Sequence, residues 1–239
     1  MFLKKRDFYH QNIKYSFHYH KKRLNNLDQL NESYERLKHF FMEVYEGKIP
    51  NDMFNMKKNP RISRFKLKGI NKAFLRSYSK KLIRAGEIKQ LDSNKLSNYA
   101  KNVYKTYKAN EIGKKPGHDP VLKNILINDE KSIAIETPIW KRKNGACLTG
   151  HIDLIQVSPK YIKIVDYKPE GNFLYSLPQV ASYGLIFKSV FEYDNIKCIS
   201  FNKNEAWEYD PELLIRNDLK QYLKNHQDLK TEKWEKWIF

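Results

Sequence analysis

The spacing of apolar residues differs between the first and second halves of the chain. In residues 28–46 and 71–84 apolar side chains recur every three or four positions, which predicts two amphipathic helices. A third helix is predicted over residues 93–109, with Ser93 as its N-cap. Residues 1–23 are basic and aromatic, and we expect a flexible arm or a first helix there. The first 130 residues are therefore predicted to be a helical, basic elaboration.

Beyond a Gly/Pro-rich loop at residues 113–120, the apolar spacing changes to alternation and short continuous runs, which are typical of strands. The predicted strands are residues 133–140, 147–157, 161–168 and 196–201, and the predicted helices are residues 177–190 and 211–225, the latter capped by Asp210. This order predicts an α/β fold with a central mixed β-sheet flanked by helices. We assign the core to residues 131–239.

The charge balance of the chain is strongly positive. Its 239 residues include 45 Lys and Arg against 27 Asp and Glu, a formal net charge of +18. Such an excess favours a polyanionic partner, with an anionic membrane surface as the alternative. No apolar run approaches the roughly 18 residues of a spanning helix, and the first residues lack the apolar stretch of a signal peptide. We therefore expect an intracellular protein, cytoplasmic or nucleoid-associated, or of organellar or viral origin, with free thiols at Cys147 and Cys198.

Residues 57–84 concentrate the positive charge, because they contain eleven Lys and Arg and no Asp or Glu. Within the predicted helix, four basic residues are spaced four positions apart, and we name them the basic stripe: Lys72, Arg76, Lys80 and Arg84. Like charges at this spacing repel by a few tenths of a kcal/mol per pair, so an ordinary solvated face would mix signs. The stripe is predicted to bind a nucleic-acid backbone, with a merely basic surface as the alternative.

Asn144 and Gly145 form the dipeptide that most strongly indicates a two-residue β-hairpin turn. If they are the two turn residues, facing residues on the two strands have numbers that add to 289. Glu136 then lies directly across from Asp153, with Cβ atoms roughly 5 Å apart. Two facing carboxylates repel, so we expect positive charge between them, either a divalent cation or Lys168.

The strand that follows carries a carboxylate and an ammonium group in an apolar run. Asp166 and Lys168 are two positions apart, so in a strand they share a face. Asp153 lies thirteen residues upstream, on the neighbouring strand. Carboxylate oxygens suit Mg²⁺ or Mn²⁺, whose bound water can attack a phosphate, while Lys168 orients that water or stabilises the transition state. The alternative is a structural ion pair between Asp166 and Lys168.

Over residues 133–200 the chain carries, in order, Glu136, Gly150-His151-Ile152-Asp153, Asp166-Tyr167-Lys168, Gln179 and Tyr183. This pattern resembles the PD-(D/E)XK nuclease superfamily, and within it the RecB-like exonuclease branch. The resemblance implies a restriction-endonuclease-like core in which Asp153, Asp166 and the backbone carbonyl of Tyr167 bind metal. It implies that Lys168 is catalytic. It also implies that Gln179 and Tyr183 contact the substrate backbone, although packing of a helix on the sheet is the alternative for Tyr183.

Two features depart from that family pattern. Iron–sulfur members of the branch need four cysteines and this chain has two, so we expect no iron–sulfur cluster. The branch usually places a metal-binding histidine on a helix before the strands, often after a glycine. Here Gly69 is followed by Ala73 where the histidine would fall. His39 and His118 are the alternatives, and His118, near the start of the sheet, is retained as a candidate metal ligand.

The function expected from these features is that of a Mg²⁺- or Mn²⁺-dependent deoxyribonuclease, an exonuclease that acts on single-stranded DNA or DNA ends, as in DNA repair. A sequence-specific restriction-type endonuclease and a catalytically inert DNA-binding protein are the alternatives. Tyrosines interleaved with lysines at residues 99–108 would either stack unpaired bases or pack their helix. The aromatic tail at residues 234–239 is a candidate contact for the core, DNA or a partner protein. No membrane partner is expected.

Overall fold

The computed structural model describes residues 2–67, 71–91, 94–143, 145–169 and 173–216, together with residues 219 and 221. Within these residues the strands are β1 Leu3–His10, β2 Ile13–His20, β3 Ile88–Leu91, β4 Ser132–Lys143, β5 Ala146–Ser158, β6 Tyr161–Tyr167, β7 Ile196–Phe201 and β8 Ala206–Tyr209. The α-helices are α1 Lys21–Asn25, α2 Leu27–Leu30, α3 Glu35–Glu46, α4 Asn51–Asn55, α5 Lys72–Arg84, α6 Lys95–Ala109, α7 His118–Asn128 and α8 Leu177–Phe191. Short 3₁₀ turns occur at Glu32–Tyr34, Ile62–Arg64, Phe173–Tyr175 and Pro211–Leu214.

All eight described strands join one sheet, in the order β1-β2-β4-β5-β6-β7-β8-β3. Neighbouring strands are antiparallel except β6 and β7, which are parallel. A parallel pair needs a crossover connection, and the 15-residue helix α8 supplies it. The predicted α/β fold with a mixed sheet flanked by helices is confirmed. The restriction-endonuclease-like core stays a prediction.

The N-terminal residues form strands, so the expectation of a flexible arm or a first helix there is wrong. β1 and β2 make a hairpin with continuous register from Leu3↔His20 to His10↔Ile13. Its two turn residues, Gln11 and Asn12, have φ angles of 52° and 65°, the left-handed geometry of a tight hairpin turn. β3 joins the opposite edge of the sheet. The N-terminal half is therefore helical only in part, and its strands extend the sheet at both edges.

The predicted helices are found with altered ends. The helix expected at residues 28–46 is divided into α2, a 3₁₀ turn and α3, which ends at Gly47 with φ of 80°. The N-cap of α6 is Asn94, whose side chain accepts a hydrogen bond from the Leu96 N–H, whereas the expected cap Ser93 lies outside the described residues. No helix in the described part of the chain is long and apolar enough to cross a membrane.

The last predicted helix is described only at its start. Asp210 caps it as expected, since its side chain accepts a hydrogen bond from the Glu212 N–H at 2.9 Å. The turn that it caps is a 3₁₀ turn, Pro211–Leu214, and most of residues 215–225 lie outside the described part of the chain. The aromatic tail at residues 234–239 also lies outside it.

Two hydrophobic clusters pack on the sheet. The larger one lies against α3, α5 and α8 and includes Ile164 of β6 and Phe187 of α8. The smaller one lies under α6 and α7 and includes Val165 and Tyr167 of β6. Successive β6 residues enter different clusters because side chains alternate across a strand. The sheet is thus covered by helices on both faces around the middle of β6.

The strands β5 and β6 separate at the level of the predicted site. They are paired from Ser158↔Tyr161 to Leu154↔Val165. Beyond Val165, β6 continues along β7 alone, and we call this point of separation the fork. Beyond the fork, the edge of β5 that faces β6 is taken by another segment, because the Thr149 N–H donates to the Pro60 carbonyl at 3.2 Å. The fork therefore opens in the middle of the sheet, where an opening between strands is least expected.

Candidate active site

Asp153 and Asp166 are the first residues of β5 and β6 beyond the fork. The Asp153 carboxylate accepts a hydrogen bond from the backbone N–H of Tyr167 at 2.9 Å. This bond joins the two strands just beyond their last pair, Leu154↔Val165. Asp153 is thereby held at the point of separation. Two short apolar strands, each with one carboxylate, thus bring their charges to one place, as the sequence predicted.

Glu136 of β4 lies at the same level, and the pairs next to it, Ile135↔Leu154 and Thr137↔Ile152, have the predicted register, although Glu136 and Asp153 do not themselves pair. The described pairs from Ala134↔Ile155 to Lys143↔Ala146 have residue numbers that add to 289, and the register shifts by one only before Ala134. Lys143 pairs with Ala146, which leaves residues 144 and 145 as the connection; Asn144 itself lies outside the described residues. Register alone therefore places Glu136 opposite Asp153.

Both strands break their alternation at this level. Glu136 has φ of 51°, which is uncommon for a residue with a side chain. On β5, Ile152 belongs to the larger hydrophobic cluster and Leu154 to the smaller one, although residues two apart share a face in a regular strand. The break releases Glu136 and Asp153 from the packed faces. Backbone conformations of this kind are concentrated at functional sites.

The environment of Glu136 disfavours its negative charge. Burial and the charges of Asp153, Asp119 and Asp166 raise the pKa of Glu136 from 4.5 to about 8. Burial likewise raises the pKa of Asp166 to about 7, opposed by Lys168 and reinforced by Asp153. In the absence of a cation, negative charge on Glu136 and Asp166 is therefore disfavoured. A bound divalent cation would remove the repulsion between them.

Lys168 lies beside Asp166 on the same strand face. Its Nζ is 2.8 Å from Asp166 Oδ2, within ion-pair distance, and 3.3 Å from the Gln179 side-chain oxygen, to which it donates. Burial alone would lower the pKa of Lys168, but Asp166 and Asp153 raise it. Neither carboxylate oxygen of Asp166 has a well-aligned hydrogen-bond partner among the described residues, although Asp166 is buried. Asp166 thus retains acceptor capacity for a ligand.

His118 reaches the fork from the first turn of α7. Its Nε2 lies 2.9 Å from the backbone carbonyl oxygen of Tyr167 and 3.8 Å from Asp153 Oδ2. The structure therefore brings His118 together with the carbonyl that the resemblance makes a metal ligand. His39 lies exposed on α3, 3.7 Å from Glu43, and takes no part in this arrangement.

The donors at the fork are compatible with a hard divalent cation. No three His, Cys, Asp or Glu side chains of the described residues stand close enough together to form a ready metal-ligand set. Near the His118 and Asp153 side chains lies the backbone carbonyl of Tyr167. The Asp166 carboxylate lies within ion-pair distance of Lys168. Carboxylate and carbonyl oxygens with one imidazole fit Mn²⁺, or Mg²⁺ with retained water. Asp166 Oδ1, which has no hydrogen-bond partner among the described residues, and the raised carboxyl pKa values support this fit.

The close approach of Tyr183 to β5 explains why the motif has a glycine at position 150. A Cβ atom on Gly150 would lie 2.5 Å from Tyr183 Cε1 and 3.0 Å from its hydroxyl, so only glycine allows the ring this close to β5. Tyr183 is buried, and burial, followed by Asp153 and Asp166, raises the pKa of its hydroxyl. Gln179 is buried as well. Tyr183 and Gln179 therefore pack against the residues of the fork and help to position them. A contact of either residue with substrate stays a prediction.

The basic stripe lies on an amphipathic helix, as predicted. Its four residues, Lys72, Arg76, Lys80 and Arg84, are all exposed on α5, and none of them forms a salt bridge with an acidic residue in the described ranges. Leu75, Tyr78 and Leu82 are buried on the other face of α5, whereas Phe74 is partly buried. Within the described residues, the stripe therefore has no counter-charge from an ion pair.

The tyrosines of α6 take the packing role. Tyr99 donates a hydrogen bond to the Asn128 carbonyl at 3.1 Å, and the Tyr104 hydroxyl lies 3.3 Å from the Tyr167 hydroxyl. Lys203 covers the Tyr104 ring, with Nζ 4.6 Å from the ring centre. These contacts support the packing alternative for Tyr99 and Tyr104 over base stacking.

Two charged residues that sequence reasoning missed act on the site. Asp119 follows His118, forms a salt bridge with Lys123 at 2.9 Å, and adds to the effect of burial and Asp153 on Glu136. Lys66 is exposed, and its charge is among those that lower the pKa of Asp166 against the effect of burial. Asp119 could have been identified from the sequence, because it directly follows the candidate ligand His118. Lys66 lies outside any periodic element, so the sequence contains no indication of its role.

Cys147 and Cys198 are free thiols, as expected, and both are buried. Burial raises the pKa of each thiol, which makes both poor nucleophiles and poor metal ligands.

No model of a known protein family matches the chain, and the comparison with curated proteins finds no match either.

Proposed function

We propose that the protein is a metal-dependent nuclease that hydrolyses phosphodiester bonds in DNA. The observation that carries the proposal is the strand fork. There Asp153 and Asp166 meet, with Lys168 Nζ 2.8 Å from Asp166 and His118 Nε2 2.9 Å from the Tyr167 carbonyl. A buried sheet gains nothing in packing from these groups, whereas metal-assisted phosphate hydrolysis uses carboxylates to hold a cation and can use a lysine to stabilise the transition state.

The metal ion would be held by Asp153, Asp166 and the Tyr167 carbonyl, with His118 and Glu136 as further ligands. When bound, it would supply an activated water and offset the charge that develops on the phosphate oxygens. For this chain's own part, Asp153 is already oriented by the Tyr167 N–H. Gln179 orients Lys168 through its side-chain oxygen. Little rearrangement of these side chains is then needed for the reaction.

Lys168 would act on the phosphate group that is cleaved. Asp166 and Asp153 raise its pKa against the effect of burial, so it is a cation at neutral pH. A cation fixed beside the reacting phosphate stabilises the transition state more than the ground state, because negative charge accumulates there during attack. Lys168 is therefore expected to contribute to turnover more than to affinity.

The basic stripe would hold the DNA backbone leading to the fork. Its four charges have no acidic salt-bridge partner among the described residues, and the whole chain carries a net charge of +18. Contacts of this kind bind phosphates without reading sequence. This favours an exonuclease on single strands or ends over a sequence-specific endonuclease, for which a base-reading surface would be needed.

A DNA-binding protein without catalysis is the second candidate. The ion pair between Asp166 and Lys168 is the observation that favours it, since such a pair neutralises a buried carboxylate without any metal ion. Loss of Lys168 would then reduce stability and DNA affinity together. In a nuclease it would reduce turnover alone.

The test is a time course of cleavage on end-labelled and circular DNA, each single- and double-stranded, with Mg²⁺, Mn²⁺ or a chelator. An exonuclease would degrade end-labelled single strands only when metal is present and would spare circles. Cleavage of circles would identify an endonuclease. Tight DNA binding without cleavage under any metal condition would support the inert binding protein and reject the nuclease.

A further inference from the structure

The segment at residues 59–67 forms the second wall of the fork. It occupies the edge of β5 that β6 leaves free. The Cys147 N–H donates to the Asn59 side-chain oxygen at 3.4 Å, the Thr149 N–H donates to the Pro60 carbonyl at 3.2 Å, and Arg61 pairs with Thr149 as an isolated parallel bridge. We call this segment the wall. It lies along β5 at residues 147–149, a few residues before Asp153.

The wall is fixed by buried side chains. Ile62, Phe65 and Leu67 are almost fully buried, and a Cβ atom on Gly150 would come within 3.1 Å of Ile62 Cδ1. The Leu67 N–H also donates to the carbonyl of Tyr175, just before α8, at 3.0 Å. The wall is therefore attached both to β5 and to the chain that enters α8. A side chain on it has a defined position relative to the fork.

Lys66 lies between the two buried anchors Phe65 and Leu67 and is itself exposed. Among the described residues it forms no salt bridge, although its charge reaches the buried Asp166. A lysine that served only solubility would not need a backbone anchored on both sides by buried residues. A lysine on an anchored backbone, whose charge acts on a buried carboxyl and which has no acidic partner among the described residues, is available to bind an external anion.

We propose that Lys66 binds a backbone phosphate of the substrate strand adjacent to the phosphate that Lys168 serves. The strand would then contact both Lys66 of the wall and Lys168, the two lysines whose charges act on Asp166. This inference rests on the proposed nuclease function. It makes Lys66 a substrate-binding residue that the motifs do not include.

Two consequences separate this role from a structural one. Removal of one phosphate-binding charge should raise KM about tenfold and leave kcat within about twofold, because that charge acts equally on the ground and transition states. It should also lower the slope of log affinity against log salt by roughly 0.7 on single strands. In the absence of DNA, removal of a positive charge near Asp166 should make Mn²⁺ bind more tightly.

The experiment compares Lys66→Gln with Lys57→Gln in the full chain. Lys57 is an exposed lysine of the same basic region, outside the wall. Steady-state cleavage of a short single strand with Mn²⁺, its binding in chelator over a salt series, and a calorimetric Mn²⁺ titration without DNA are measured for both. Lys66→Arg is added because it keeps the charge and should restore KM.

The proposal expects a raised KM, a reduced salt slope and tighter Mn²⁺ binding for Lys66→Gln alone, with Lys57→Gln equal to the unsubstituted protein. Equal KM and salt slope in the two Gln variants would overturn it, as would a loss of kcat without a change in KM. Failure of the nuclease proposal is distinguishable, because the unsubstituted protein would then cleave nothing. The salt-slope measurement in chelator would still decide whether Lys66 contacts the strand.

Discussion

Glu136→Gln is expected to stabilise the metal-free protein. Burial, together with Asp153, Asp119 and Asp166, raises the pKa of Glu136 from 4.5 to about 8. The folded protein thus keeps a proton on Glu136 that the unfolded chain loses above about pH 4.5. Because the folded state binds more protons, its stability falls as the pH rises from about 4.5 to about 8. An amide in place of the carboxyl removes this dependence.

The size of the effect at pH 7 follows from the same values. One pKa unit corresponds to about 1.4 kcal/mol, and pH 7 lies about 2.5 units above the unfolded pKa of 4.5, which sets an upper limit of about 3 kcal/mol. Coupling to Asp153 and Asp166 shares the proton among several groups, so we expect about 1–3 kcal/mol of added stability for Glu136→Gln. Near pH 4 the gain should shrink towards zero.

The assay is urea unfolding in chelator at pH 4 and pH 7. Glu205→Gln is the matched control, because Glu205 is exposed on the turn between β7 and β8 and should give the same stability as the unsubstituted protein at both pH values. A Glu136→Gln variant that is less stable at pH 7, or equally stabilised at pH 4, would show that Glu136 does not carry this charge repulsion. Added Mn²⁺ should reverse the order, since the unsubstituted site then binds the ion more tightly.

Further predictions concern single residues at the site and the basic stripe. Lys168→Ala should lower kcat by about 100-fold or more with little change in DNA affinity, measured by single-turnover cleavage and binding in chelator. His118→Ala should weaken Mn²⁺ binding by about tenfold or more in a calorimetric titration, whereas His39→Ala should leave it unchanged. Replacing the basic stripe with four Gln should flatten the salt slope of binding by roughly 0.7 for each phosphate that the helix no longer neutralises. Gly150→Ala should lower the free energy of unfolding by about 1–3 kcal/mol in urea, because its Cβ would meet the Tyr183 ring.

The second half of the fold was predictable because its signals are local. Asn144-Gly145 specifies a two-residue turn, and that turn alone sets the register that faces Glu136 with Asp153. The continuous apolar run of β6 and its single carboxylate were likewise visible in the sequence. What the sequence did not contain is the left-handed backbone of Glu136, because a break in alternation arises from the pairing of two strands and the packing of two clusters.

The first half was less predictable because its structure depends on distant partners. The β1–β2 hairpin turns at Gln11 and Asn12, without the glycine that normally reveals a tight turn, and β1 has three consecutive basic residues, Lys4-Lys5-Arg6, instead of alternating apolar and polar ones. The wall has no periodicity of its own and takes its shape from the free edge of β5. Lys66 could therefore not be assigned to the site before the fork was known.

The proposed nuclease function depends above all on Asp166 belonging to a catalytic metal site. The most direct test is cleavage of a short end-labelled single-stranded DNA by the purified protein with Mn²⁺, compared with Asp166→Ala and with Asp52→Ala, which changes an exposed aspartate on α4. We expect the unsubstituted protein and Asp52→Ala to cleave the strand, and a chelator to abolish that cleavage. We expect no cleavage by Asp166→Ala, whose DNA binding is retained or tighter because a buried carboxyl has been removed. Cleavage by Asp166→Ala, or cleavage that persists in chelator, would contradict the assignment of Asp166 to a catalytic metal site.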